Sequence, residues 1–378
     1  MNERSDPRPE EAPPAPRRTL QGFFWCDGRL VLSILDELRP VFEVLTPSPT
    51  GWSRERVAGV PEIGAAALWP LDQEESESNG DLLMVIQDPL TPPTLLQAHP
   101  PAAAQVLKRA PHGFDPAGLV VTRHEAVSSD GERIPYVQVG PPGETGEAPV
   151  HLTAYGGFGI SLVPSYDASV GKCWLERGGT SVVANLRGGG EFGSAWHDAG
   201  RREGKRLAHA DFAAVAADLV RRGVTRPGRI AAEGGSNGGL LIANMLTRYP
   251  ERFGALFCTI PLADMRRYTK LLAGASWIAE YGDPDIPEDW AFLSEISAYH
   301  HVVPGRRYPP ILIATSRRDD RVHPGHARKL AAKLMAMGYD ACFYEPAAGG
   351  HGYGKDNAER AAFVALGYAF LRRAIGWE

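Results

Sequence analysis

Residues 228–246 read GRIAAEGGSNGGLLIANML, in which a β-type apolar run enters GGSNGG and a helix-forming run leaves it. Gly234 to Gly238 fit the pattern Gly-x-Ser-x-Gly in the strand, turn and helix setting of a nucleophile elbow, which makes Ser236 the candidate nucleophile. The turn is so tight that side chains at 234 and 238 would collide with the neighbouring strand and helix, so glycine is needed at both. In a chain with 42 glycines the bare pentapeptide carries little weight. The four flanking glycines and the strand-helix context carry it past the competing reading, a Gly-rich helix start with an N-cap serine.

A serine hydroxyl is a poor nucleophile at neutral pH unless a base takes its proton, and a third group must orient that base. Around an elbow of this kind the chain order is Ser, then Asp or Glu after a later core strand, then His beyond the last strand. Asp319 follows the run PPILIATS (309–316), and His351 lies in AAGGHGYG (347–354), just after YDACFYEP (339–346). Asp320 is the rival acid, and His323 and His326 are rival bases whose position places them at the expected start of the next helix. Acyl transfer also needs donors aimed at the developing oxyanion. One is the backbone N–H of Asn237, the residue after the nucleophile. The second is expected in TAYGGFG (153–159), as the Tyr155 hydroxyl or a glycine N–H.

Outward from the elbow, short strands alternate with amphipathic helices, the mark of a mostly parallel sheet covered on both faces and hence of an α/β-hydrolase fold. The expected strands are 150–155, 180–186, 228–234, 254–260, 309–316 and 339–346, and the expected helices 209–222, 237–249, 323–338 and 356–375. Before the loop at 140–149 the rhythm differs: short β-like runs such as FFWCDGRLVLSIL and RPVFEVLTPS are broken by Pro, Gly, Asn and Asp. The division is a disordered Pro-rich arm at 1–18, a β-rich region at 19–111 and a catalytic domain at 112–378. An aromatic excursion at 264–303 holds Trp277, Tyr281, Trp290 and Tyr299, as an insert beside the active site or as core aromatics.

The net charge of −5 gives no general electrostatic reason to bind nucleic acid or an anionic membrane. Cys26, Cys173, Cys258 and Cys342 are widely spaced without a CxxC pair, so neither a zinc site nor a disulfide framework is expected. No metal or cofactor is required by the chemistry above. The N-terminus lacks an apolar signal core, and no run is long enough to span a membrane, so the expected setting is cytoplasmic.

With these residues in place the chain resembles the prolyl oligopeptidase family of serine peptidases over about residues 115–376. The likeness is carried by YGGFGISLVPSY, ANLRGGGEFGSAWHDAG, GGSNGGLL, ASWIAEYGDP, DDRVHP and GGHGYGK, all in family order. The resemblance implies a triad of Ser236, Asp319 and His351, with Tyr155 as side-chain oxyanion donor beside the Asn237 N–H. It further implies that Trp277 stacks on a substrate proline, that Phe158, Tyr281 and Val322 line the same pocket, and that Arg321 hydrogen-bonds a substrate carbonyl. Full-length family members carry a large β-propeller before the hydrolase domain. Residues 19–111 have room for one or two blades, whose exposed edges the hydrolase domain or a second subunit must cover, making a homo-oligomer an open expectation. The expected substrate is a peptide cleaved after proline or a similar small apolar residue. The alternatives are an esterase acting on small acyl substrates and a non-catalytic binding remnant.

Overall fold

The computed structural model describes residues 17–74, 79–352 and 354–377. Residues 1–16 of the expected arm lie outside the described residues. Its last two residues belong to the folded part: Arg18 opens the first strand, and the Arg17 guanidinium donates to Glu125 at 2.6 Å and to the Arg133 carbonyl at 2.7 Å.

Two antiparallel four-stranded sheets come first. One is made of β1 (Arg18–Cys26), β2 (Arg29–Asp36), β3 (Arg39–Ser48) and β4 (Gly51–Arg56), and the other of β5 (Ala65–Pro70), β6 (Leu82–Asp88), β7 (Thr91–Ala98) and β8 (Gln105–Arg109). The run FFWCDGRLVLSIL is a hairpin rather than one strand. Asp27 and Gly28 sit at φ +51° and +66°, the left-handed pair that a two-residue turn between twisted strands demands. Cys26, Val31, Phe42 and Val44 of the first sheet share a core with Leu68, Leu82, Met84 and Leu96 of the second. The two sheets thus make two blade-like units. Arg123 ties them to the hydrolase domain, donating to the Glu37 and Glu62 carbonyls at 2.9 and 2.8 Å, while Phe23, Trp25 and Trp52 stay exposed.

The hydrolase sheet begins with a hairpin, β9 (Val120–Val127) and β10 (Arg133–Gly140). It continues with β11 (Val150–Ala154), β12 (Thr180–Ala184), β13 (Ile230–Gly235), β14 (Ala255–Thr259), β15 (Ile311–Ala314) and β16 (Ala341–Tyr344). The strand order is β16-β15-β14-β13-β11-β12-β10-β9, with β11 to β16 parallel and β10 antiparallel to β12. Helices α1 (Ala168–Cys173), α2 (Ser194–Ala199), α3 (Lys205–Arg221), α4 (Asn237–Arg248), α5 (Ile278–Tyr281), α6 (Pro287–Glu295), α7 (Ala298–His301), α8 (Gly325–Ala336) and α9 (Asn357–Ala374) fill the crossovers and the C-terminus.

Both faces of this sheet are covered, because alternate residues of each strand point to opposite sides. Leu256 and Cys258 join Ile311 and Ile313 in the core beneath α3, α4 and α8, whereas Phe257, Leu312 and Ala314 pack with Phe363, Tyr368 and Leu371 of α9. The strands therefore read as continuous apolar runs.

The topology also places the site. From β11 the chain moves to β12 on one side, then crosses through α3 to β13 on the other, so the C-terminal ends of β11 and β13 flank a switch point where ligands bind in open α/β sheets. Thr153 pairs in register with Glu233. Tyr155 and Ser236, a few residues further along their chains, consequently emerge side by side.

Candidate active site

The elbow forms where β13 meets α4. Ser236 sits at φ +59° and ψ −115°, a conformation that a non-glycine residue adopts only when its surroundings enforce it. Its N–H donates to the Thr259 carbonyl at 3.1 Å, and its carbonyl accepts Leu240 N–H at 3.0 Å, so strand and helix hold it from both sides. A Cβ at Gly234 would come within 2.4 Å of the Gly238 carbonyl oxygen. At Gly238 the nearest approach is a milder 3.2 Å, to the Ala154 carbonyl. The tighter second position is Gly239, whose Cβ would meet the Thr259 carbonyl at 2.6 Å, so the contact expected at 238 falls one residue later.

Asn237 opens α4, and its N–H belongs to the first helical turn, where no intrahelical acceptor exists. Its side chain is fully engaged: Nδ2 donates to the Tyr155 carbonyl at 2.6 Å and Oδ1 accepts the Tyr281 hydroxyl at 2.9 Å. This clamp fixes the end of β11 against the start of α4. The Tyr155 side chain shares the cavity at Ser236; burial raises the pKa of its hydroxyl, with the neighbouring Ser236 and the Arg321 charge opposing the rise, so the phenol stays a proton donor at neutral pH.

Asp319 and His351 meet across the loops after β15 and β16. Nδ1 of His351 lies 3.0 and 2.9 Å from the two carboxylate oxygens of Asp319. The Asp319 side chain is completely buried, and its Oδ1 also accepts the N–H groups of Arg321 and Val322, each at 2.9 Å. Asp320, the rival acid, is exposed. His323 turns back to accept Gly325 N–H at 2.9 Å. His326 is buried at the start of α8, where its Nδ1 accepts the N–H groups of Ala263 and Asp264. Burial pushes its pKa down to about 4, as suits a neutral structural acceptor.

Ser236 opens onto a cavity of about 290 Å³ lined by Tyr155, Phe158, Trp277, Tyr281 and Arg321, together with Ile160, Leu262 and Ser276. Val322 does not line it. Only 2% exposed, Val322 packs behind the wall with Leu240, Tyr268 and Tyr281. Phe158 meets Tyr281 edge to face at 5.6 Å. Of the excursion's other aromatics, Trp290 packs at the margin of this cluster, and Tyr299 packs against the central core. The excursion is thus part pocket wall and part core.

Sequence reading did not find Ile160, Leu262 and Ser276, nor the polar residues behind the pocket. Glu280 is buried and accepts Lys205 Nζ at 2.6 Å and Phe158 N–H at 3.0 Å, with His197 Nε2 at 2.8 Å. A glutamate beside a pocket tyrosine was the one available signal. Among the described residues, no group of three His, Cys, Asp or Glu side chains is placed to hold a metal ion, and no helix is long and apolar enough to cross a membrane.

The parallel sheet, its switch point and the elbow define the class: an α/β hydrolase with a serine at the tip of β13. Comparison with known proteins narrows this. The prolyl oligopeptidase family profile matches residues 164–378, and the chain belongs to that family of serine peptidases. An uncharacterized peptidase of Sinorhizobium fredii is 40% identical over 95% of this chain and 49% of its own length. A prolyl endopeptidase of Elizabethkingia miricola is 37% identical over 65% of this chain and 36% of its own. Among solved structures, a post-proline cleaving enzyme from Rickettsia typhi superposes with a TM-score of 0.86 at 32% identity, covering 96% of this chain and 52% of that one. The chain thus spans about half the length of the proteins it matches.

Proposed function

We propose that this chain hydrolyses peptide bonds on the carboxyl side of proline, or of a similar small apolar residue, through an acyl-enzyme on Ser236. The observation that carries the reading is the convergence, around one cavity, of the elbow serine, the Tyr155 hydroxyl and the Trp277 wall, with His351 oriented by a buried Asp319. His351 takes the Ser236 proton as Oγ bonds to the scissile carbonyl carbon. The Tyr155 hydroxyl and the Asn237 N–H stabilise the oxyanion. The proton passes to the leaving amine as the C–N bond breaks, and water then attacks the ester with the same histidine as base. The Trp277 indole offers a flat apolar face that suits a pyrrolidine ring, and Arg321 stands at the cavity to donate to a substrate carbonyl.

A second reading, hydrolysis of small esters, is favoured by the cavity's open rim, where Ile160 and Ser276 are exposed. Esters carry better leaving groups and place weaker demands on positioning. The test is a rate comparison of the protein and Ser236→Ala on a Gly-Pro anilide and a p-nitrophenyl ester. Ser236-dependent anilide cleavage supports the peptidase, ester-only turnover supports the esterase, and no difference between protein and variant overturns both.

A further inference from the structure

The turn that carries Tyr155 is held by a buried ion pair that never touches the cavity. Gly156 and Phe158 have φ of +63° and +57°, and for a residue as bulky as Phe158 the left-handed region is strained and persists only when its surroundings hold it. The Lys205 ammonium, from the first turn of α3, donates to the Gly156 carbonyl at 3.2 Å and to Glu280 Oε1 at 2.6 Å. The same Glu280 oxygen accepts the Phe158 N–H at 3.0 Å. Lys205 is 1% exposed and Glu280 5%, and neither lines the cavity at Ser236.

A buried ion pair is a poor device for stability alone, since desolvation consumes most of the Coulombic attraction and an apolar replacement is often no worse. Its geometry suggests another use. Glu280 and Tyr281 are consecutive in α5 and grip the two ends of one turn. Tyr281 holds the Tyr155 carbonyl through Asn237, and Glu280 holds the Phe158 N–H directly. With both ends fixed, the Tyr155 ring has little freedom to swing away from Ser236.

We propose that Glu280, paired with Lys205, is a positioning residue for acyl transfer: it fixes the Gly156–Phe158 turn so that the Tyr155 hydroxyl stands ready at the oxyanion. The inference rests on Ser236 being the nucleophile.

The test is a double-mutant cycle on p-nitrophenyl acetate hydrolysis, with Glu280→Gln/Lys205→Met in one arm and Tyr155→Phe in the other. Removing both charges leaves no unpaired buried ion. The expected result is a fall in kcat of about 10- to 100-fold at nearly constant KM, shrinking to less than about 3-fold when Tyr155 is already Phe. Losses that multiply in full, or a kcat that does not change, overturn the proposal. Should the double variant unfold, Glu280→Asp takes its place: the carboxylate is kept but one methylene short of reaching both partners, and the same non-additivity with Tyr155→Phe is required. Failure of the underlying reading shows separately, as Ser236→Ala turning over the ester as fast as the parent protein.

Discussion

The carboxylate of Asp319 lies 2.9 Å from Nδ1 of His351 while taking two backbone N–H groups from its own loop. Those N–H bonds hold the carboxylate against Nδ1, and in the proposed reaction Nε2 is then the nitrogen that serves as the base. Asp319→Asn keeps an acceptor for the Arg321 and Val322 N–H groups, so the fold is retained. With its oxygen held by those two N–H groups, the amide turns its NH2 toward Nδ1 and selects the tautomer protonated at Nε2, which cannot act as a base. A kcat loss of about 10⁴ with an unchanged circular dichroism spectrum is expected. A loss below tenfold would remove Asp319 from the reaction.

Tyr155→Phe deletes one donor and nothing else, because the carbonyl that anchors residue 155 to Asn237 belongs to the backbone. Losing one oxyanion donor costs roughly 3 to 4 kcal/mol, or about 10² to 10³ in kcat, with KM nearly constant since the developing charge exists only in the transition state. Steady-state rates on the p-nitrophenyl ester decide it. A matching rise in KM would mean that Tyr155 binds substrate instead.

What could be read in advance follows the range of each constraint. The elbow was legible because a strained turn dictates its own local sequence, and the meeting of Asp319 with His351 was legible because chain order in this topology sets the loops after β15 and β16 side by side. Strand β4, GWSRER, was missed because it is an exposed edge strand with no buried face, so alternation leaves no trace. Val322 was placed in the pocket wall but packs behind it, since position along the chain does not report which side of a wall a side chain takes. The Lys205–Glu280 pair joins residues 75 apart, and nothing local marks a lysine in a helical first turn as buried. Interactions set by tertiary closure are invisible to a reading whose evidence is local period and turn chemistry.

Trp277→Ala should alter selectivity more than chemistry. The indole lines the Ser236 cavity, whose lining includes neither Asp319 nor His351, so ester turnover should hold within about threefold. Preference for proline over glycine at the cleaved position should fall about 10- to 100-fold, the scale on which an apolar pocket discriminates. Paired kcat/KM values on Gly-Pro and Gly-Gly anilides measure this. An unchanged ratio would assign proline recognition elsewhere.

Away from the site, Arg187 is locked between Asp211 and Asp130, with Ser128 donating to Asp211 at 2.6 Å. This network joins the β9–β10 turn to α3 and to the loop after β12. Asp211→Ala leaves the buried guanidinium with only the partly exposed Asp130 as ion partner, and a loss of about 3 to 5 kcal/mol is expected. It would appear as a lower urea midpoint at constant slope. A midpoint within error of the parent would mean that water or Asp130 compensates the charge.

Glu280 gives the fold a definite acid response. Burial alone would raise its pKa, but the Lys205 charge and the bonds from Lys205, His197 and Phe158 outweigh that, and the net direction is downward. A carboxylate whose folded-state pKa lies below its unfolded value contributes stability in full above the unfolded value of about 4.3. That contribution is lost as pH falls from there through the folded value, because the unfolded chain takes up the proton first. Stability should therefore decline more steeply below pH ~4.3 in the parent than in Glu280→Gln/Lys205→Met, where the residue at 280 no longer titrates. Urea unfolding at a series of pH values from neutral into the acid range reads the difference. Parallel acid limbs in the two proteins would show that the Glu280 carboxylate gains nothing from its partners on folding.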